Sequence, residues 1–186
     1  MRCYHLNNSY LAGIHAGIQS AHSETELALV YALEPELSFE HHSNPEFAFA
    51  NYKDWAKNHK TIIVLDGGWH SELVKMTEFL MSNKDHPYAW ASFCESPEAL
   101  NGAMTNLSIV LPFHMYEFNR DLSDLLRTRE SQAVVVRWDN SKIAMTLHQD
   151  GTATILHTQV NQASQCYNYN AFELELIKRL SRLKLM

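Results

Sequence analysis

The spacing of apolar and polar residues changes several times along the chain, and each change marks an element. Arg2 to Leu6 reads as a short strand, ended by a turn at Asn7-Asn8-Ser9. From Ala12 to Leu33 the period becomes helical. Ile14, Ile18, Ala21, Thr25 and Leu29 recur three and four apart, which predicts one apolar stripe as the buried face. Glu34-Pro35 ends that helix, because proline has no amide hydrogen to donate. Histidine-rich Ser38 to Asn44 reads as a loop. Pro45 to Asn58 predicts a second helix bearing Phe47, Tyr52 and Trp55, with Pro45 suited to the first helical position. Lys60-Thr61-Ile62-Ile63-Val64-Leu65 is a β-branched apolar run, the pattern of a central strand covered on both faces. After the turn Asp66-Gly67-Gly68, Ser71 to Met81 predicts a helix with Ser71 as N-cap and Leu73, Met76 and Leu80 inward.

Tyr88 to Cys94 is the next strand, Ser96-Pro97 a turn, and Thr105 to Leu111 a strand closed by Pro112. This order of strands and helices predicts an α/β fold: a small mixed β-sheet flanked by helices. Beyond it the pattern changes. Asp121 to Arg129 predicts a charged helix and Ala133 to Trp138 a strand, followed by the turn Asp139-Asn140-Ser141. Ile143 to His148 and Thr152 to Thr158 form a hairpin around Gln149-Asp150-Gly151, since Asp-Gly favours tight hairpin turns. Ala171 to Met186 closes the chain as a helix with Phe172, Leu176, Leu180 and Leu183 on one face. Lys178, Arg179, Arg182 and Lys184 surround that face as a solvated stripe. These readings set a boundary near residue 118, with a domain at 1–118 and a C-terminal extension of hairpin plus helix at 119–186. About 65 residues are few for independent stability, so the extension is expected to pack on the first part or on a partner.

The 186 residues amount to about one domain with an appendage, and 46% hydrophobic content excludes a disordered chain. No apolar run approaches the ~20 residues of a membrane span, and the start turns polar too early for a signal peptide. The expectation is a cytoplasmic protein without a membrane partner. Cys3, Cys94 and Cys166 are far apart and odd in number, which excludes a disulfide scaffold and fits a reducing compartment. With 15 Lys plus Arg against 21 Asp plus Glu the net charge is −6, which argues against indiscriminate coating of nucleic acid. Protonating all 11 histidines would carry the charge from −6 to +5, so binding of phosphate or RNA is expected to strengthen on acidification.

The chemistry concentrates on the first helix. His15, Gln19 and His22 stand at i, i+4 and i+7, within about 60° of one another on a polar face. That face adjoins the loop after the first strand, where ligands gather in α/β folds. Asp66-Gly67-Gly68 reads as a turn rather than a phosphate cradle, and His41-His42 lacks metal-ligand spacing. Ser23 with the histidines and carboxylates of the chain defines no specific triad.

A resemblance links several of these residues. The chain carries Asn7 at the end of its first strand, then Gln19-Ser20-Ala21-His22 on the helix. Trp55 precedes the strand at Lys60, Phe93-Cys94-Glu95 ends a strand in an acid, and Thr105 and Pro112 bracket the last strand. In this order residues 2–112 resemble the type II peptidyl-tRNA hydrolases, the archaeal and eukaryotic sort. Two sites depart from that pattern. The family's Lys-Gly-Lys loop falls on Gly13-Ile14-His15, so an important lysine becomes His15. Its Asp-Ala-Gly-Arg-Thr turn falls on Glu95-Ser96-Pro97-Glu98-Ala99, which keeps the acid but loses the basic residue and the threonine.

The resemblance implies the peptidyl-tRNA hydrolase II fold and hydrolysis of the ester between a peptide and tRNA, or of a related acyl ester. It implies no metal and no cofactor, tRNA as partner, and a homodimer. Ester hydrolysis needs a positioned water, a base and a stabiliser for the oxyanion. Glu95 would orient or deprotonate the water, His15 would place a positive charge beside it, and Thr105 would help hold the ester. Gln19, His22 and Asn101 are the expected substrate-binding residues. Gly13, Glu98 and Ala99 favour the alternative of an inactive member of the fold that binds RNA, a nucleotide or a protein.

Overall fold

Strand β1 (Arg2–Asn7) needs a partner on each side, and it finds one parallel and one antiparallel. In the computed structural model, which describes residues 1–186, β1 pairs parallel with β2 (Ile62–Asp66) and antiparallel with β4 (Met104–Leu111). Strand β3 (Trp90–Cys94) pairs antiparallel with β4, which gives the order β2-β1-β4-β3. A parallel pair requires a long crossover. It runs through α1 (Ile14–Ala28), a wider π-type turn Leu29–Leu33, a 3-10 turn Pro35–Leu37, α2 (Ser38–His41) and α3 (Glu46–Asp54). A second π-type turn, Trp55–His59, leads into β2. Helix α4 (His70–Met81) and the single turn α5 (Pro97–Leu100) complete this part. The molecule is therefore a mixed α/β fold. It divides into Met1–Pro112 with Leu183–Met186, and Phe113–Arg182.

Several expectations need correction. Ser38 to His41 is helical rather than a loop, because Ser38 is buried and its carbonyl accepts the His42 amide. Pro45 caps α3 instead of opening it. The run from Lys60 is an edge strand, half exposed at Ile63 and Val64, and not a central one. A β-branched run reports preference for extended backbone, not position in a sheet. The central strands are β1 and β4, and β4 is buried along its whole length despite Asn106 and Ser108. The chain end is not helical beyond Leu180. Residues 183–186 return to the free edge of β2, where Asp66 N–H donates to the Lys184 carbonyl (2.8 Å) and Met186 N–H to that of Val64 (3.2 Å). Ser71 does not cap α4. Trp69 is the N-cap, and its amide donates to the Glu72 carboxylate at 3.0 Å.

The most consequential correction concerns α1. The apolar stripe faces outward, with Ile14 76% and Ile18 44% exposed. The buried face is Ala16, Gln19, Ser20, Ser23 and Leu27. The sheet explains this inversion. On β1 and β4 the register pairs Cys3 with Val110, His5 with Ser108, and Asn7 with Asn106. Alternation sends all six toward one face. That face is apolar at one end, where Cys3, Leu27, Val30, Tyr31, Trp55 and Val110 cluster, and becomes polar toward Asn7. A polar helix stripe matches it, because buried polar groups need partners. The opposite face takes Leu6 against Leu73 of α4. A Cβ on Gly67 would lie 2.7 Å from Leu73 Cδ2 and 2.9 Å from Leu6 Cβ. Gly67 thus permits close packing.

In Phe113–Arg182 the chain forms α6 (Phe113–Glu117), α7 (Asn119–Thr128) and a meander β5 (Gln132–Val136), β6 (Lys142–Leu147), β7 (Ala153–Thr158) and β8 (Gln165–Tyr169), followed by α8 (Ala171–Leu180). The expected hairpin is there, turned by Gly151 at φ +81, but β5 and β8 extend it to a four-stranded antiparallel sheet. Phe118, Leu122, Ile143, Met145, Ile155, Leu176 and Ile177 are buried. Phe118 packs its ring on His157 and Tyr167, so the division falls after Pro112 rather than near 118. Arg137 ties the start of this unit to its sheet, donating to Glu117 (3.3 Å) and Asp121 (2.8 Å). No helix is long and apolar enough to cross a membrane.

Candidate functional site

An irregularity in the β3–β4 pair builds the site. Phe93 lies opposite Asn106 and Cys94 opposite Met104, so Thr105 is an extra residue in β4. Such a bulge re-aims a side chain. It turns Thr105 toward α1 beside Asn106, where strict alternation would have placed it on the far face. The Thr105 hydroxyl donates to Gln19 Oε1 at 2.7 Å, and Gln19 Nε2 donates to Glu95 Oε1 at 2.6 Å. A carboxylate only accepts, so it dictates the direction of the whole relay: hydroxyl to amide oxygen, amide nitrogen to carboxylate. Thr105 is fully buried and Gln19 nearly so, while Glu95 is half-buried at the sheet's end. No protein donor occupies Glu95 Oε2, which leaves it for water or ligand. The Glu95 amide bonds the Ala103 carbonyl (3.0 Å), and Ser96 caps the turn that follows.

The residues singled out in the sequence fall into three groups. Gln19, Glu95 and Thr105 are brought together. Thr105 is buried and both ends of the Gln19 amide are engaged, so the pair holds the Glu95 carboxylate from the core side. His22 is anchored by stacking on Phe93, with ring centroids 4.6 Å apart. His15 and Asn101 are not joined to them. His15 is exposed one helical turn before Gln19, and its ring makes no hydrogen bond or ion pair with Glu95. Asn101 is an exposed residue in the left-handed region that ends α5. Sequence reasoning missed Tyr10. Burial, and then the charge on Glu95, push its phenol above the ordinary value, and 43% of the residue stays exposed. A half-exposed tyrosine beside a carboxylate has no periodic signal.

Behind the relay lies a buried network. Asn7 donates to Ser20 and to the Ala16 carbonyl, and Asn106 donates to Asn7. Ser23 bonds Asn106 and Ser108, and Ser108 bonds His5 Nδ1 at 2.8 Å. Serine and histidine meet here, but His5, Ser23 and Ser108 are fully buried and no carboxylate joins them. The group is core structure, and burial lowers the His5 pKa to about 4. A second histidine group is equally structural. His41 stacks on Trp90, His42 bonds the Tyr31 hydroxyl (2.8 Å) and the His86 carbonyl (3.1 Å), and burial holds His42 to about 4. Asp66 closes its own turn by accepting from Ser9 and from the Gly68 amide. No three His, Cys, Asp or Glu side chains are grouped as metal ligands.

The segments that follow β1, β2 and β3 carry Glu72, Glu95 and Glu98 with His15 and His70, Asp66 ends β2, and there is no Lys or Arg between Asn8 and His22, Asp66 and Glu72, or Cys94 and Ala103. No protein-family model matches the chain, and no curated protein or solved structure matches it significantly.

Proposed function

We propose that Met1–Pro112 is a peptidyl-tRNA hydrolase-like ester hydrolase in which Glu95 orients and deprotonates the attacking water. The Thr105–Gln19–Glu95 relay carries this reading. A buried hydroxyl fixes the Gln19 amide, the amide holds one carboxylate oxygen of Glu95, and no protein donor takes the other; a general base has to be placed in this way before it can act on water. The attacking water gives its proton to Glu95 Oε2. In this reading the exposed Tyr10 hydroxyl and the exposed His15 ring supply the donors for the oxyanion and the leaving ribose oxygen. Gln19 and Thr105 act through Glu95.

The test uses the purified chain with peptidyl-tRNA and, separately, a small neutral acyl ester. Turnover is expected for the parent chain, with a loss of about 10²–10⁴-fold in Glu95→Gln and an unchanged unfolding midpoint. Thr105→Val should lower kcat more than it raises KM, and Thr105→Ser should restore it. No hydrolysis of either substrate by the parent chain refutes the proposal.

One observation favours a second reading, the non-catalytic binding module. The loops around the site lack the cations that a polynucleotide needs. Under that reading Glu95 is a ligand contact for a neutral or cationic group. A flat dependence of tRNA binding on log salt then accompanies the absence of turnover.

A further inference from the structure

Strand β5 ends its sheet with an open edge. Within the β5–β6 pair, Leu147 N–H donates to the Ser131 carbonyl (2.9 Å) and Arg137 N–H to that of Ser141 (3.0 Å). Main-chain groups alternate in direction along an antiparallel strand. Ser131, Ala133, Val135 and Arg137 therefore bond toward β6, and the N–H and C=O of Gln132, Val134 and Val136 point away from it. No hydrogen bond in the structure takes those outward groups. The side chains of the same three residues rise on the outer face, with Val134 51% and Val136 75% exposed. The register aligns Val134 with Ala144, Leu156 and Cys166, an apolar row across all four strands.

Folded proteins normally blunt such an edge with lysine, proline, a bulge or a cover. From Ser131 to Val136 there is no charge and no proline, and the β5–β6 register has no shift. The other sheet differs, because residues 183–186 bond to the free edge of β2. The far edge of the meander, β8, is built largely of polar residues, Gln165, Tyr167, Asn168 and Tyr169.

We propose that β5 pairs antiparallel with β5 of a second copy, forming a two-fold dimer whose two sheets are continuous. Self-complementarity selects a second copy as the occupant. Centred on Val134, the pairing sets Val134 against itself and Gln132 against the partner's Val136, so every open main-chain group of these residues gains a partner. Ala133 falls opposite the partner's Val135. No like charges lie directly opposite, and the exposed Arg129 is carried toward the partner's exposed Asp139, a charge match at each end. The apolar row then runs unbroken across the two-fold axis. Isologous contacts of this kind close at two copies.

Sedimentation equilibrium of the full chain, from micromolar to several hundred micromolar, tests the proposal. The parent chain is expected to dimerise. Val134→Lys, which sets two lysines against each other, should weaken dimerisation at least tenfold and leave the circular dichroism spectrum unchanged. Val160→Lys, at a loop valine that is 64% exposed, should leave dimerisation intact. Val134→Glu alone should also be monomeric, and mixing it with Val134→Lys should restore a heterodimer, because only this register makes position 134 face itself. A monomeric parent chain, a dimer indifferent to Val134→Lys, or a mixture that stays monomeric would each overturn the proposal. In the first case the edge is free for an unrelated strand.

Discussion

Replacing His5 by Asn isolates one pH-dependent contribution to stability. The Asn amide falls near the position of the imidazole Nδ1, so it keeps a bond with the Ser108 hydroxyl and removes the titrating group. Burial, partly offset by hydrogen bonding to Asn106, lowers His5 from 6.5 to about 4 in the folded chain. The unfolded chain therefore binds more protons between these values, and stability must fall as the pH drops through the window. Below about 4 the folded form protonates too and this loss stops. Working the linkage from pH 7 to pH 4.5 gives a loss of about 2–3 kcal/mol from this residue. The variant starts lower at pH 7 because part of the imidazole volume is gone, but that offset does not depend on pH. The gap between parent and variant should thus shift by about 2–3 kcal/mol in the variant's favour on acidification, or about 1 M in urea midpoint at an m-value of about 2 kcal/mol/M. Urea titrations followed by tryptophan fluorescence at the two pH values measure it. If parent and variant lose the same stability between pH 7 and pH 4.5, His5 is not held neutral by burial and the reasoning fails.

Gly67→Ala should destabilise Met1–Pro112 by about 1–3 kcal/mol, since the new methyl meets the main chain of β1 at Leu6 as well as Leu73; thermal unfolding measures this. Ile18→Lys should change stability by less than about 0.5 kcal/mol, because this residue of the apolar stripe faces outward. A loss of about 2–5 kcal/mol, as for a truncated core residue, would mean that the face is covered. Arg137→Ala should cost about 1–2 kcal/mol, between an exposed and a buried ion pair, because its side chain is 29% exposed and holds both Glu117 and Asp121. Chemical denaturation in low and high salt would show the loss shrinking only slightly as salt rises.

Local pattern was enough to locate most elements. The helices at 14–28, 70–81, 119–128 and 171–180 follow helical periodicity, and Asp150-Gly151 turns its hairpin. It was not enough to orient them. The stripe of α1 is apolar where it meets solvent, because the partners that demand a polar face, Ser108 and Asn106, lie more than 80 residues away in sequence. The site shows the same division. Gln19, Glu95 and Thr105 could be singled out one by one, but Thr105 reaches Gln19 only through a bulge, and a bulge is a property of two paired strands. Strand β8 carried no apolar alternation, and β2 resembled a core strand while lying at an edge.

The amino-acid order alone determined where the backbone coils, extends and turns, since those preferences act between residues a few positions apart. Which face is buried, which strand is central, and which carboxylate is held by a buried amide were decided by tertiary contacts. Burial and hydrogen-bond satisfaction depend on groups brought together from distant parts of the chain.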